Sequence, residues 1–152
     1  MVPIRRIRIS ARGALVAGAA LLCLSGTVIS AEQAQPAAPA GGNAEAAKLK
    51  NPVASSPESI AAGKATFATV CASCHGAEGK GGIVLSVIED RGGNQPPDLT
   101  DAKWDHGSSD GEIFTTIKKG VAPDFFMAPF DGRIPDNDIW NLVNYIKSIA
   151  TK

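Results

Sequence analysis

An all-α domain, with three main helices joined by long loops, is the fold this sequence predicts. Three observations predict it. Apolar residues recur at helical spacing in three separate windows. Each window carries its own start or stop residues. The stretches between them are rich in Gly, Pro and Asp, and no alternating strand–helix pattern is present.

The first helix follows "SSPES". Ser56 is a capping residue and Pro57 suits the first helical position. Ile60, Gly63, Phe67 and Val70 then share a face, and the helix is expected to run into Cys71. The second follows "HGSSDGEIFTTIKKG". Ser109 and Glu112 have capping-box spacing, Ile113 and Ile117 mark one face, and Lys118 and Lys119 precede a stop at Gly120. The third follows "IPDNDIWNLVNYIKSIA". Asp136 is read as its cap, and Ile139, Leu142, Val143, Ile146 and Ile149 form its apolar stripe. Residues 76–106 and 121–135 are turn-rich. Within them only "IVLSVI", residues 83–88, has the composition of a strand or a short helix, and its pattern does not choose between them. Loops this long in a small domain usually carry function.

The folded part is expected to span residues 57–152. Residues 1–31 read as a signal peptide. Arg5, Arg6, Arg8 and Arg12 precede a short apolar run, and cleavage is expected after Ser30 or Ala31. The rival reading is an uncleaved membrane anchor, for which the run is short and broken by Gly, Ser and Thr. Cys23 does not fit a lipid-anchor cysteine, because bulky Leu22 precedes it. Residues 32–56 are Ala- and Pro-rich, contain no aromatic residue and read as a flexible linker.

The formal charge of the whole chain is zero, but the leader arginines mask an acidic domain. From Glu58 onward thirteen Asp and Glu face nine Lys and Arg, a net charge of −4. No basic stripe runs along a helix, which excludes nucleic acid as an expected partner.

Removal of the leader takes Cys23 with it and leaves Cys71 and Cys74, in "CASCH". A Cys-x-x-Cys-His motif is the attachment pattern of haem c. Two thiols add across the two vinyl groups on one porphyrin edge to make thioethers, and the next residue, His75, gives its imidazole to the iron. A redox dithiol would need a βαβ setting, and a zinc site would need a second ligand pair. The exported chain has only His75 and His106 as histidines and no third cysteine.

The sixth iron position calls for a ligand or stays open. Once Met1 is lost, Met127 is the sole methionine. It lies in "PDFFMAPF", a proline-bounded aromatic loop ahead of the last helix. Thioether sulfur paired with imidazole raises the reduction potential and suits electron transfer. His106 in "WDHGSSD" is the rival ligand, and a gap-filling role in the core is the plain alternative for Met127.

With these motifs in place, residues 58–149 resemble the class I cytochromes c, single-haem proteins of the bacterial periplasm and of mitochondria. The resemblance rests on the helix bearing Gly63 and Phe67 ahead of "CASCH", on "PPDLT", on the helix ending "IKKG", on "FFMAPF" and on "DIWNLVNYI". It implies a small all-α fold wrapped around one covalently bound haem c. Cys71 and Cys74 would hold the haem, and His75 and Met127 would ligate the iron. The Pro97 carbonyl would accept a hydrogen bond from the other ring nitrogen of His75. Trp104 would lie at the haem edge with its N–H toward a propionate, or else in the ordinary core. Arg91 would pair with a propionate or stay solvated. Gly63 and Phe67 would pack where the first and last helices cross, against Leu142 and Tyr145. One departure is that Ala128 separates Met127 from Pro129, where many family members have proline directly after the methionine.

The function expected from this reading is periplasmic electron transfer between redox partner proteins, with no catalytic residues of its own. The alternative is a haem c subunit of a dehydrogenase or oxidase complex. A third reading is a haem sensor or peroxidase with an open sixth site. Contact with a membrane is expected only if the N-terminal segment is retained.

Overall fold

The structure, a computed structural model, describes residues 41–82 and 85–151. The expected leader, the first part of the expected linker and residues 83–84 lie outside the described residues. Helices α1 (Pro57–Thr66), α2 (Ala72–His75), α3 (Ser86–Glu89), α4 (Asp110–Lys119) and α5 (Asp136–Ile149) make up the domain, with no strand among the described residues. The fold is all-α with long loops, as expected from the sequence.

α1 begins where expected. The Ser56 side chain accepts from the Ser59 N–H at 3.2 Å, and Pro57 occupies the first turn. The chain then stays helical as far as the cysteine motif, but not as one regular helix. Over Phe67–Cys71 it widens, so that the Ala72 N–H reaches back five residues to the Phe67 carbonyl. Such a widened turn swings the residues beyond it about the axis and recurs at functional sites. It delivers α2, which carries Cys74 and His75.

α5 is the centre of the domain. α1 packs on one side of it and α4 on the other. Burial on two sides explains why Trp140, Asn144 and Tyr145 are buried together with the expected stripe of Ile139, Leu142, Val143 and Ile146. At the α1–α5 crossing, Phe67 (1% exposed) meets Tyr145 with ring centroids 5.3 Å apart. Gly63 permits the close approach. A Cβ there would lie 2.1 Å from the Asn141 carbonyl oxygen and 2.8 Å from the Tyr145 Cβ. On the other side Phe114 of α4 stacks on Trp140 at 3.9 Å.

Two expectations are corrected. Asp136 does not cap α5; Pro135 takes that position with no side-chain cap. The Asp136 carboxylate instead pairs with Lys118 Nζ at 2.7 and 2.8 Å, joining the end of α4 to the start of α5. The second concerns the linker. Composition suggests a flexible segment as far as Ser56, yet residues 41–56 lie along the domain. Ala46 is buried, and its carbonyl and Leu49 fill the space beside Gly111. The Asn43 N–H donates to Glu112 Oε1 at 2.9 Å, and the Asn51 amide donates to Asn144 Oδ1 at 2.9 Å. Asn144 in turn donates to Ser59 Oγ and to the Val53 carbonyl. Side-chain amides here secure a segment that has little apolar surface to bury. That mechanism leaves no trace in composition.

Candidate functional site

The motif residues sit at one rim of the core. Cys71 ends the widened turn, and Cys74 and His75 lie on the four-residue helix α2. Gly76, with φ of 79°, ends α2 and turns the chain away. The following loop folds back under the motif, with the Gly81 N–H donating to the His75 carbonyl at 2.8 Å. Here the Pro-rich stretch arrives. A Cβ on Gly81 would lie 2.6 Å from the Pro96 oxygen and 2.8 Å from the Pro97 oxygen. The Leu99 N–H closes the arrangement on the Gly79 carbonyl at 2.7 Å. Gly81 thus brings Pro97 to His75, a role signalled in the sequence only by the Gly-rich run "GKGG".

Among the described residues, His75 Nδ1 is the one fully buried side-chain nitrogen or oxygen without a hydrogen-bond partner. The Pro97 carbonyl is near enough to favour a proton on the ring, though it does not complete a well-formed hydrogen bond. Burial outweighs that carbonyl and lowers the His75 pKa, so the imidazole is neutral, the form that binds a metal.

Cys71 and Cys74 are each half-buried, and neither is in a disulfide. Burial, and then the neighbouring Cys74, push the Cys71 thiol up to about 11. A reactive dithiol needs the opposite, a thiolate stabilised at neutral pH. The redox-dithiol reading also lacks the βαβ setting it needs, since no strand occurs among the described residues. The zinc reading fails on ligand number, because among the described residues no three or more His, Cys, Asp or Glu gather in metal-binding range.

Val70, Cys71, Leu99, Trp104, Met127 and Phe130 all pack against the core while remaining partly open. Met127 is held by its main chain, its carbonyl accepting from the Val121 N–H at 3.0 Å. Gly120, φ 71°, makes that fold-back possible, since a Cβ there would lie 2.6 Å from the Met127 oxygen. Arg91 lies over the Phe126 ring, its guanidinium carbon 6.0 Å from the centroid. His106 belongs to the opposite end of α4, beside Asp105, whose carbonyl accepts from the Gly41 N–H.

This set fits a haem. A flat apolar group needs partly open apolar residues to lie against, two thiols close together, and an imidazole with one nitrogen turned into the protein. All three are present. Comparison with known proteins agrees. The family model for cytochrome c oxidase, cbb3-type, subunit III matches residues 58–146. The chain belongs to this family.

It is a class I-like c-type cytochrome, an electron-transfer domain whose cofactor is haem c with its iron. A cbb3-type cytochrome c oxidase subunit CcoP from Rubrivivax gelatinosus is 31% identical over 99 residues, covering 64% of this chain and 28% of that protein. The CcoP of Rhodobacter capsulatus is 39% identical over 95 residues, covering 59% and 29%. The chain thus spans less than a third of the curated relatives it matches. Among solved structures, the reducing HAO-like protein complex of Kuenenia stuttgartiensis has a chain 28% identical. The TM-score is 0.58, over 69% of this chain and 49% of that one.

No helix among the described residues is long and apolar enough to cross a membrane. Three further residues shape the loops around this site through close approaches: Gly81, Gly120 and Phe126. The sequence marks Gly120 only as a helix stop and Phe126 only as one aromatic of the loop; what lies beside each in space is not legible there.

Proposed function

We propose that this domain is an exported carrier of single electrons that holds one haem c. Cys71 and Cys74 form the thioethers, and His75 and Met127 are the axial ligands. The observation that carries this is His75, its Nδ1 buried and turned into the protein beside Pro97 in the Cys-x-x-Cys-His motif, while Met127 packs on the core and stays partly open. The bound haem supplies an iron that accepts and returns one electron. The protein's part is to place ligands, exclude water and set the potential. With haem bound, the Pro97 carbonyl would accept from His75 Nδ1, orienting the ring and raising its basicity. Trp104 is one wall of the haem edge. His106, at the far end of α4, is the weaker candidate for the sixth position. No catalytic residue is assigned, and the domain passes electrons between redox partner proteins rather than converting a substrate.

A second reading is favoured by the relatives' names. The domain would be a haem c subunit of a cbb3-type oxidase, exchanging electrons within that assembly. The N-terminal segment would direct export to the periplasm, or remain as an anchor. Co-purification from native membranes separates the two readings. A stable complex supports the subunit, and a monomer in the soluble periplasmic fraction supports the free carrier.

The ligand assignment is tested by optical spectra of the holoprotein and of Met127→Ala. The wild type is expected to be six-coordinate and low-spin, with a weak far-red iron–thioether band that the substitution abolishes. A wild-type spectrum that Met127→Ala leaves unchanged would remove Met127 as a ligand and return His106 to consideration.

A further inference from the structure

The Met127 loop is tied along its own length, rests on the core through Met127 and Phe130, and is held by Phe126 to the segment that carries Ile88 and Gly93. Main-chain bonds close it on itself, from Val121 to Met127 and from Phe125 to Val121, and tie it to α4, from Phe130 to Ile117 and from Asp131 to Lys118. The Phe126 ring occupies the space a side chain on Gly93 would take, with Cε2 and Cδ2 2.3 and 2.8 Å from that Cβ position. Ile88 Cγ2 lies 2.9 Å from the same point, and Arg91 covers the ring.

The seat is itself closed. The Gly93 N–H donates to the Ile88 carbonyl at 2.9 Å, and the Gln95 side chain bonds both the N–H and the carbonyl of Leu85. Reaching it requires an unusual backbone. Phe125 has φ of 49°, a left-handed conformation that a bulky residue adopts only when its surroundings impose it. Phe125 is then left 41% exposed while Phe126 turns inward.

We infer that Phe126, seated on Gly93 and Ile88, is a positioning residue for the Met127 thioether. The ring fixes the backbone one residue ahead of Met127, so the sulfur is presented before it binds. Without the seat the loop gains conformations, and an external ligand competes more easily for the iron. This rests on the reading of Met127 as an axial ligand.

The test is imidazole competition in the oxidised holoprotein, followed by the far-red thioether band. Gly93 does not have positive φ, so Gly93→Ala adds one methyl group without backbone strain and unseats the ring. Gly93→Ala and Phe126→Ala are each expected to lower the half-displacing imidazole concentration about tenfold. The double variant is expected to lose less than the two single effects combined, because the added methyl then meets only Ile88 Cγ2 and no ring. If Gly93→Ala fails to incorporate haem, Phe126→Leu supplies the comparison. A wild type with no thioether band overturns the Met127 reading, and this inference with it. A normal band with unchanged competition in Gly93→Ala and Phe126→Ala, or Phe126→Leu in its place, overturns the positioning role alone. Additive effects in the double variant would also overturn it.

Discussion

At Gly63 one hydrogen atom, where other residues have a methyl group, decides how closely two helices meet. The obstacle to a side chain is main chain: the Asn141 carbonyl, 2.1 Å from the Cβ position. A carbonyl in the middle of α5 cannot rotate away as a side chain does. Gly63→Ala is therefore expected to destabilise the holoprotein by about 1–3 kcal/mol through overpacking, read by denaturant unfolding. The axial ligand spectrum should stay unchanged in the native state. A variant as stable as the wild type would show that α1 and α5 are free to separate. His75 shows the same locality with a chemical outcome. Its neutrality follows from burial, which outweighs the proton-favouring Pro97 carbonyl. The residue type is readable in "CASCH"; the protonation state is set by burial and by the Pro97 carbonyl, both products of the fold.

Among the elements, α4 is the one whose ends do different work. Its C-terminal end supports the Met127 loop. Its N-terminal end holds residues 41–56 through Glu112. Ser109 and Glu112 form a full capping box, and the second carboxylate oxygen accepts from Asn43. Hydrogen bonds from the Ser109 side chain, then from backbone N–H groups, hold the Glu112 carboxyl below the usual glutamate range. A depressed carboxylate pKa contributes stability that is fully present above the unfolded value and is lost as pH falls through the folded one. Glu112→Gln is expected to cost about 1 kcal/mol at neutral pH, the size of a capping interaction. The gap between variant and wild type should close as pH falls below about 4. Urea unfolding at the two pH values measures this. A gap that persists in acid would mean that Glu112 acts through packing rather than charge.

For the molecule as a whole, the core and the site share one set of residues. Val70, Leu99, Trp104 and Met127 pack on the core and stay partly open at its rim, so a covalently held haem would complete the packing. A domain of this size has little core to spare. The Cys71→Ala/Cys74→Ala double variant is expected to lose haem that survives denaturing gel electrophoresis. It should also melt well below the holoprotein, by about 4–8 °C for each kcal/mol lost. Circular dichroism supplies the melting curve. An unchanged midpoint would show that the protein core stands without its cofactor.

Much of this was legible from residue types in order. The helical spacing of Ile60, Phe67, Ile113, Ile117 and the α5 stripe placed the three main helices, since burial on a 3.6-residue period leaves a linear trace. "CASCH" and a lone later methionine indicated the cofactor and its candidate ligands, because thioether attachment demands that spacing. What the linear order could not carry were contacts between distant segments: Asn51 on Asn144, Gly81 beneath Pro97, Asp136 turned to Lys118 instead of capping α5. A glycine reads as freedom in a sequence and as a close approach in a fold. Only tertiary structure says which neighbour fills the space, because that neighbour is chosen by packing and hydrogen bonding across the whole chain.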